Sequence, residues 1–160
     1  MIKKNKIVVT GGSGRFGRIL KKQNFKNYIF PDKYNFDITN TKSIQNYILK
    51  IKPKTIIHLA GFSRPVELHE SNPIKSINLN IVGTSNLVMA CKKYNIKFIY
   101  FSSNYVYPGK TGNYRETDPI LPFNSYGWSK LGGEAAAQIY KNSLILRTCM
   151  TEKPFIHKRA

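Results

Sequence analysis

The chain has 160 residues and a mass of 18.3 kDa, with a formal net charge of +18, a pI near 10.0, 41% hydrophobic and 12% aromatic residues. That is the size of one domain with a core of its own, and Gly and Pro contents are too ordinary for a collagenous or low-complexity chain. Two cysteines, Cys91 and Cys149, cannot frame a disulfide scaffold, and no stretch reaches the roughly 18 apolar residues of a membrane span. A reduced, cytoplasmic setting is therefore expected, without export signal or membrane anchor. The 20 Lys and 6 Arg are scattered from Lys3 to Arg159 with no run longer than two. A nucleic-acid binder gathers its basic residues on one face, so no specific nucleic-acid partner is predicted; a solvated Lys-rich surface that attracts small anions is.

Strand and helix periods alternate along the chain. Residues 2–10 carry the β-branched run Ile7-Val8-Val9, then a glycine-rich turn and a helix to about Lys22. Tyr28-Ile29-Phe30 is a second strand, stopped by Pro31-Asp32. Asn40 or Thr41 caps a helix whose Ile44, Ile48 and Ile51 recur at helical spacing, and Thr55 to Ala60 is a third strand. A helix is predicted from Pro73 to about Tyr94, with Ile77, Ile81, Leu87, Val88 and Cys91 as its apolar positions. Phe98 to Phe101 is the fourth strand, an irregular stretch runs from Asn104 to Pro122, a helix covers Tyr126 to Tyr140, and Leu144 to Leu146 is a fifth strand. This order predicts βαβ units: a Rossmann-type, doubly wound parallel sheet with helices on both faces, residues 1–150, followed by a short basic tail, 151–160.

The turn Gly11-Gly12-Ser13-Gly14-Arg15-Phe16-Gly17 lies between a hydrophobic strand and a helix, which is the context a dinucleotide site needs. Gly11 permits the sharp turn, Gly14 lets the backbone approach a pyrophosphate, and Gly17 lets helix and strand pack closely. NAD or NADP is the predicted cofactor. Asp32 stands where a carboxylate would accept from a ribose 2′-hydroxyl, whereas Lys33 and Arg15 suit a 2′-phosphate, so both forms stay open. Asp37, followed by Ile38, is a second carboxylate suited to the adenine side or to capping the next helix.

Tyr126 and Lys130 stand four residues apart and share one face of a helix. A cation near a phenol lowers its pKa and makes the Tyr a general acid or base near neutrality. Ser103 follows the fourth strand, at the sheet edge where ligands of parallel sheets sit, and its hydroxyl suits a carbonyl oxygen gaining charge.

On these residues the chain resembles the extended short-chain dehydrogenase/reductase family. The matching elements, in family order, are Gly11-x-x-Gly14-x-x-Gly17, Asp37-Ile38, His58-Leu59-Ala60-Gly61, Asn80-Ile81-Val82-Gly83-Thr84, Ser103, Tyr126-x-x-x-Lys130 and Arg147 after the closing strand. Within it the chain is most similar to dTDP-4-dehydrorhamnose reductases, through Ser103 to Gly109, Glu116-Thr117-Asp118 and Pro122 to Glu134, although those reductases usually have Thr-Asp at the Ser103-Asn104 position. The resemblance implies hydride transfer from NAD(P)H to a nucleotide-activated keto-sugar. Tyr126 would protonate the oxygen, Lys130 would hold the ribose and tune Tyr126, and Ser103 would bond the carbonyl. Leu59, Ala60 and Gly61 would pass beside the cofactor, and Asn80 would support the site.

The family normally continues past this point into a substrate-binding region, while this chain ends 13 residues after Arg147. A truncated product, one half of a split epimerase/dehydratase-type enzyme completed by a C-terminal chain, and an inactive nucleotide-binding module are the three readings; a homodimer is a further partner expectation. His58, His69 and His157 show no metal-ligand spacing, so no metal is assigned. His58 reads as a packing or hydrogen-bonding residue, Cys91 and Cys149 as buried thiols, Trp128 as a shaper of the pocket mouth, and Arg64 and Arg115 as surface cations.

Overall fold

The computed structural model describes residues 5–149; the tail 151–160 and the start of the first predicted strand lie outside them. Five strands, β1 (Ile7–Thr10), β2 (Tyr28–Ile29), β3 (Thr55–His58), β4 (Lys97–Ser103) and β5 (Ser143–Thr148), form one parallel sheet in the order β2-β1-β3-β4-β5. The helices are α1 (Arg15–Lys22), α2 (Thr41–Ile51), α3 (Leu68–Ser71), α4 (Pro73–Ser76), α5 (Gly83–Tyr94) and α6 (Ser125–Ile139). The chain steps one way from β1 to β2 and the other way through β3, β4 and β5. Right-handed crossovers then put α1 on one face and α2, α5 and α6 on the other, which is the doubly wound Rossmann-type arrangement.

Local signals set the element ends. Asn40 caps α2, its side chain accepting from Ser43 N–H at 3.1 Å, and α2 stops at Lys52 in the left-handed conformation (φ 53°). Register puts Val8, Ile56 and Phe98 on one face, followed by Thr10, His58 and Tyr100. With Ile44, Ile48, Leu87, Cys91 and Ala137 from the helices, the apolar members make the main core.

Three expectations change. The predicted helix 73–94 is interrupted by a π-helical turn, Ile77–Val82, between α4 and α5. Its wider turn rotates the preceding residues, so Ile77 is 47% exposed instead of buried, while Ser76 and Asn80 point inward. The fifth strand runs two residues beyond Leu146, which places Arg147 within β5 and not after it. Cys149 is exposed, because it leaves the sheet at the cleft mouth, whereas Cys91 is buried and its thiol is pushed up to about 12.

Candidate active site

Sheet order reverses between β1 and β3, and ligands of open parallel sheets sit at the carboxyl ends of the strands at such a point. A cleft of about 1220 Å³ opens there. Every sequence-predicted site residue lines it: Gly11, Gly14, Arg15, Phe16, Gly17, Asp37, Ile38, Leu59, Ala60, Gly61, Asn80, Ser103, Tyr126 and Lys130. Trp128, half-exposed, does not.

The glycine turn is held by backbone geometry. Gly11 has φ +72°, and a Cβ there would lie 2.6 Å from Ala60 N. A Cβ on Gly17 would lie 2.3 Å from Gly11 O, so α1 can approach the turn only without one. The Gly14 N–H donates to Gly11 O at 2.9 Å, and α1 starts at Gly14 with no side-chain cap. Its first-turn N–H groups therefore suit an anion.

On the β2 side of the cleft, the two carboxylates that follow that strand are already engaged. Asp32 Oδ1 accepts from Asn35 N–H and side-chain amide, both at 2.9 Å. Asp37 Oδ1 accepts from Thr39 N–H at 2.9 Å and its hydroxyl at 2.7 Å. Burial would raise the Asp37 carboxyl, but the Thr39 bonds and the Lys33 charge outweigh it and hold it below the ordinary value.

The other end is built by β4 and α6. Ser103 Oγ accepts from Tyr105 N–H at 3.2 Å. The Tyr126 ring is set edge-on against His69 at 5.0 Å and Tyr105 at 5.4 Å. Burial raises the Tyr126 phenol; the Ser103 hydroxyl and the Arg64 charge work in the opposite direction. This corrects the expectation of a phenol lowered by Lys130. The Lys130 ammonium lies 4.3 Å from the Tyr100 ring centroid, and burial pushes it down to about 7 against the pull of Glu134. Arg64, expected as a surface cation, is exposed but lines the cleft.

Glu134, one turn beyond Lys130, is buried and accepts from Ser102 Oγ at 2.7 Å and Arg147 Nε at 2.8 Å, with Arg147 Nη2 also paired to it. Arg147 Nη1 continues to Tyr107 Oη at 2.8 Å and Glu116 O at 3.2 Å. These bonds join β4, α6, β5 and the 104–122 stretch behind the site. Asn80, in the π turn, clamps Phe62 through its N–H and carbonyl, each at 2.7 Å, and donates to Ser129 Oγ at 2.8 Å. Thr148 was not singled out by sequence. Its Oγ1 is buried without a hydrogen-bond partner among the described residues, on the cleft wall in register with Ser103.

A nicotinamide dinucleotide fits this cleft by three observations: the uncapped, side-chain-free start of α1, the two carboxylates that follow β2 on the same cleft wall, and the unpartnered Thr148 hydroxyl near Ser103. Among the described residues no His, Cys, Asp and Glu are grouped as metal ligands.

Comparison with known proteins agrees with this architecture. The chain is 33% identical over 152 residues to a dTDP-4-dehydrorhamnose reductase of Aggregatibacter actinomycetemcomitans, covering 91% of this chain and 51% of the relative. It is 29% identical to methionine adenosyltransferase 2 subunit beta of Pongo abelii, covering 89% of this chain and 45% of the relative. A crystal structure of dTDP-4-dehydrorhamnose reductase from Bacillus anthracis in complex with NADP superposes with a TM-score of 0.83 at 28% identity, over 90% of this chain and 53% of that one. The chain thus spans about half the length of the relatives it matches. The family profile described as RmlD substrate binding domain matches residues 5–151, and the chain belongs to that family.

Proposed function

We propose that the chain supplies the NAD(P)-binding and proton-donating half of a reductase acting on a nucleotide-activated keto-sugar of the dTDP-4-dehydrorhamnose type. The observation that carries this reading is that one cleft holds both the glycine turn at the start of α1 and Ser103, Tyr126 and Lys130. Bound there, the dinucleotide supplies the hydride. Ser103 hydrogen-bonds the carbonyl oxygen as it gains charge, and the half-buried Tyr126, protonated near neutrality, gives that oxygen its proton. Lys130 holds the ribose, and Arg64 supports the phenolate left behind. Arg15 and Lys33 on the cleft wall, with Asp32 Oδ1 occupied by Asn35, favour the 2′-phosphorylated cofactor, the form bound by the Bacillus anthracis relative.

A second cavity of about 1310 Å³ runs along β5, which pairs only with β4 among the described residues. It suits a complementing chain or a second copy. A second reading, nucleotide binding without turnover, is favoured by the half-length match and by a relative that is a subunit of a methionine adenosyltransferase. The two separate in one assay. The 160-residue chain with NADPH and a nucleotide 4-keto-sugar oxidises the cofactor, and Tyr126→Phe lowers the rate roughly 100- to 10,000-fold while still binding NADPH. If wild type and Tyr126→Phe bind NADPH and are equally inert, the binding reading replaces the enzyme reading.

A further inference from the structure

His58 is fully buried and contributes nothing to the proton transfer described above, yet both its ring nitrogens are bonded. The bonds around it leave one arrangement of protons. Thr10 Oγ1 accepts from Leu59 N–H at 3.2 Å and Ala60 N–H at 3.1 Å, which uses both its lone pairs. Its single proton must then go to His58 Nδ1, 2.8 Å away. A neutral imidazole with Nδ1 as acceptor carries its proton on Nε2, which donates to Thr84 Oγ1 at 3.0 Å. The Thr84 hydroxyl donates in turn to Asn80 O at 2.8 Å. From Asn80 the bonds reach Phe62 on one side and Ser129 on the other, and Ser129 Oγ donates to Tyr126 O at 2.8 Å.

We infer that His58 is a positioning residue for the cofactor cleft: as a neutral imidazole protonated on Nε2, it fixes the direction of a buried hydrogen-bond chain that clamps the floor 59–62 between Thr10 and Asn80. An imidazolium would set an Nδ1 proton against the Thr10 proton, and Thr10 could relieve this only by releasing a floor N–H. The surroundings oppose that charge as well. The ring is flanked by Tyr100 at 5.7 Å and Phe98 at 5.8 Å, and burial, with the Lys130 charge, pushes the imidazole down to about 3. The same chain ends on the backbone of Tyr126, so the floor and the proton donor share one anchor.

The effect on binding rests on the cofactor reading above; the protonation state does not. Long-range proton–nitrogen spectra of the full chain, labelled on histidine nitrogen, are expected to show His58 protonated on Nε2 alone and unchanged between about pH 5 and 8. A His58 protonated on Nδ1, or titrating in that range, would overturn the inference. In fluorescence titrations well below the melting temperature, His58→Phe, which keeps the ring but has no acceptor, is expected to weaken NADPH binding about tenfold. His58→Asn, which restores an acceptor toward Thr10, is expected to stay within about threefold of wild type. A folded His58→Phe with wild-type affinity contradicts the clamp, since a packing role alone lowers stability and not affinity. Should His58→Phe not fold, Thr10→Val breaks the same contact from the other end with the same expected loss. If wild type itself does not bind NADPH, the cofactor reading fails, and the spectra alone decide the state of His58.

Discussion

The two faces of the sheet are covered unequally. On the face under α2, α5 and α6, Val8, Ile56, Phe98 and Tyr100 are all 0% exposed. On the α1 face cover is complete at Val9 but thins toward β4 and β5: Phe101, touched by Phe16 at 5.3 Å, is half-buried, and Leu144 is 45% exposed. Register places Thr10, His58, Tyr100, Ser102 and Arg147 on the closed face, where they meet Asn80, Lys130 and Glu134 from the helices. The polar groups behind the proposed chemistry are thus rooted in the part of the protein that is already packed. Their geometry needs nothing from the open face.

Substitutions on the two faces should separate clearly. Phe98→Ala on the closed face is expected to cost about 3–5 kcal/mol, and Leu144→Ala on the open face no more than about 1 kcal/mol, in urea unfolding. Equal losses would break the distinction. Glu134→Gln comes next, because it leaves the Arg147 guanidinium and the Ser102 hydroxyl without their carboxylate. With Arg147 19% exposed the loss is expected at the lower end of the buried-pair range, about 3 kcal/mol, and Arg147→Met in the same background should restore part of it.

Lys130 gives a smaller effect with a definite sign. Its folded pKa, about 7, lies below its unfolded value, so between these the unfolded chain binds the extra proton and stability rises with pH. From pH 7 to 9 the gain is expected to be about 2 kcal/mol, and Lys130→Met should abolish it. Between about pH 9 and 10 the rise flattens and above about pH 10 it reverses, because Cys91, raised to about 12 when folded, ionises only in the unfolded chain while the Lys130 contribution ends at its unfolded pKa. A flat wild-type profile from pH 7 to 9 would mean that Lys130 is solvated.

What could be read from sequence was what depends on neighbours along the chain. The glycine turn, the Asn40 cap and the four-residue spacing of Tyr126 and Lys130 each need only a few consecutive residues. What depends on register and packing was not legible. His58 and Thr84 are 26 residues apart, and Glu134 and Arg147 13 apart, and only the sheet order brings each pair together. The π turn at Ile77–Val82 carries the same apolar spacing as an ordinary helix, so nothing marked the rotation that buries Asn80 and exposes Ile77. The tuning of Tyr126 is not legible in the sequence, because a shared helix face does not say where the Lys130 ammonium points; it points at Tyr100.

We propose that this chain by itself forms a dinucleotide cleft. Thermal unfolding of the 160-residue protein with and without NADPH tests it most directly. At a hundredfold excess over the dissociation constant, binding to the folded state adds about 2.7 kcal/mol, which for a domain of this size raises Tm by about 5–10 °C. No rise at millimolar NADPH or NADH would contradict the account.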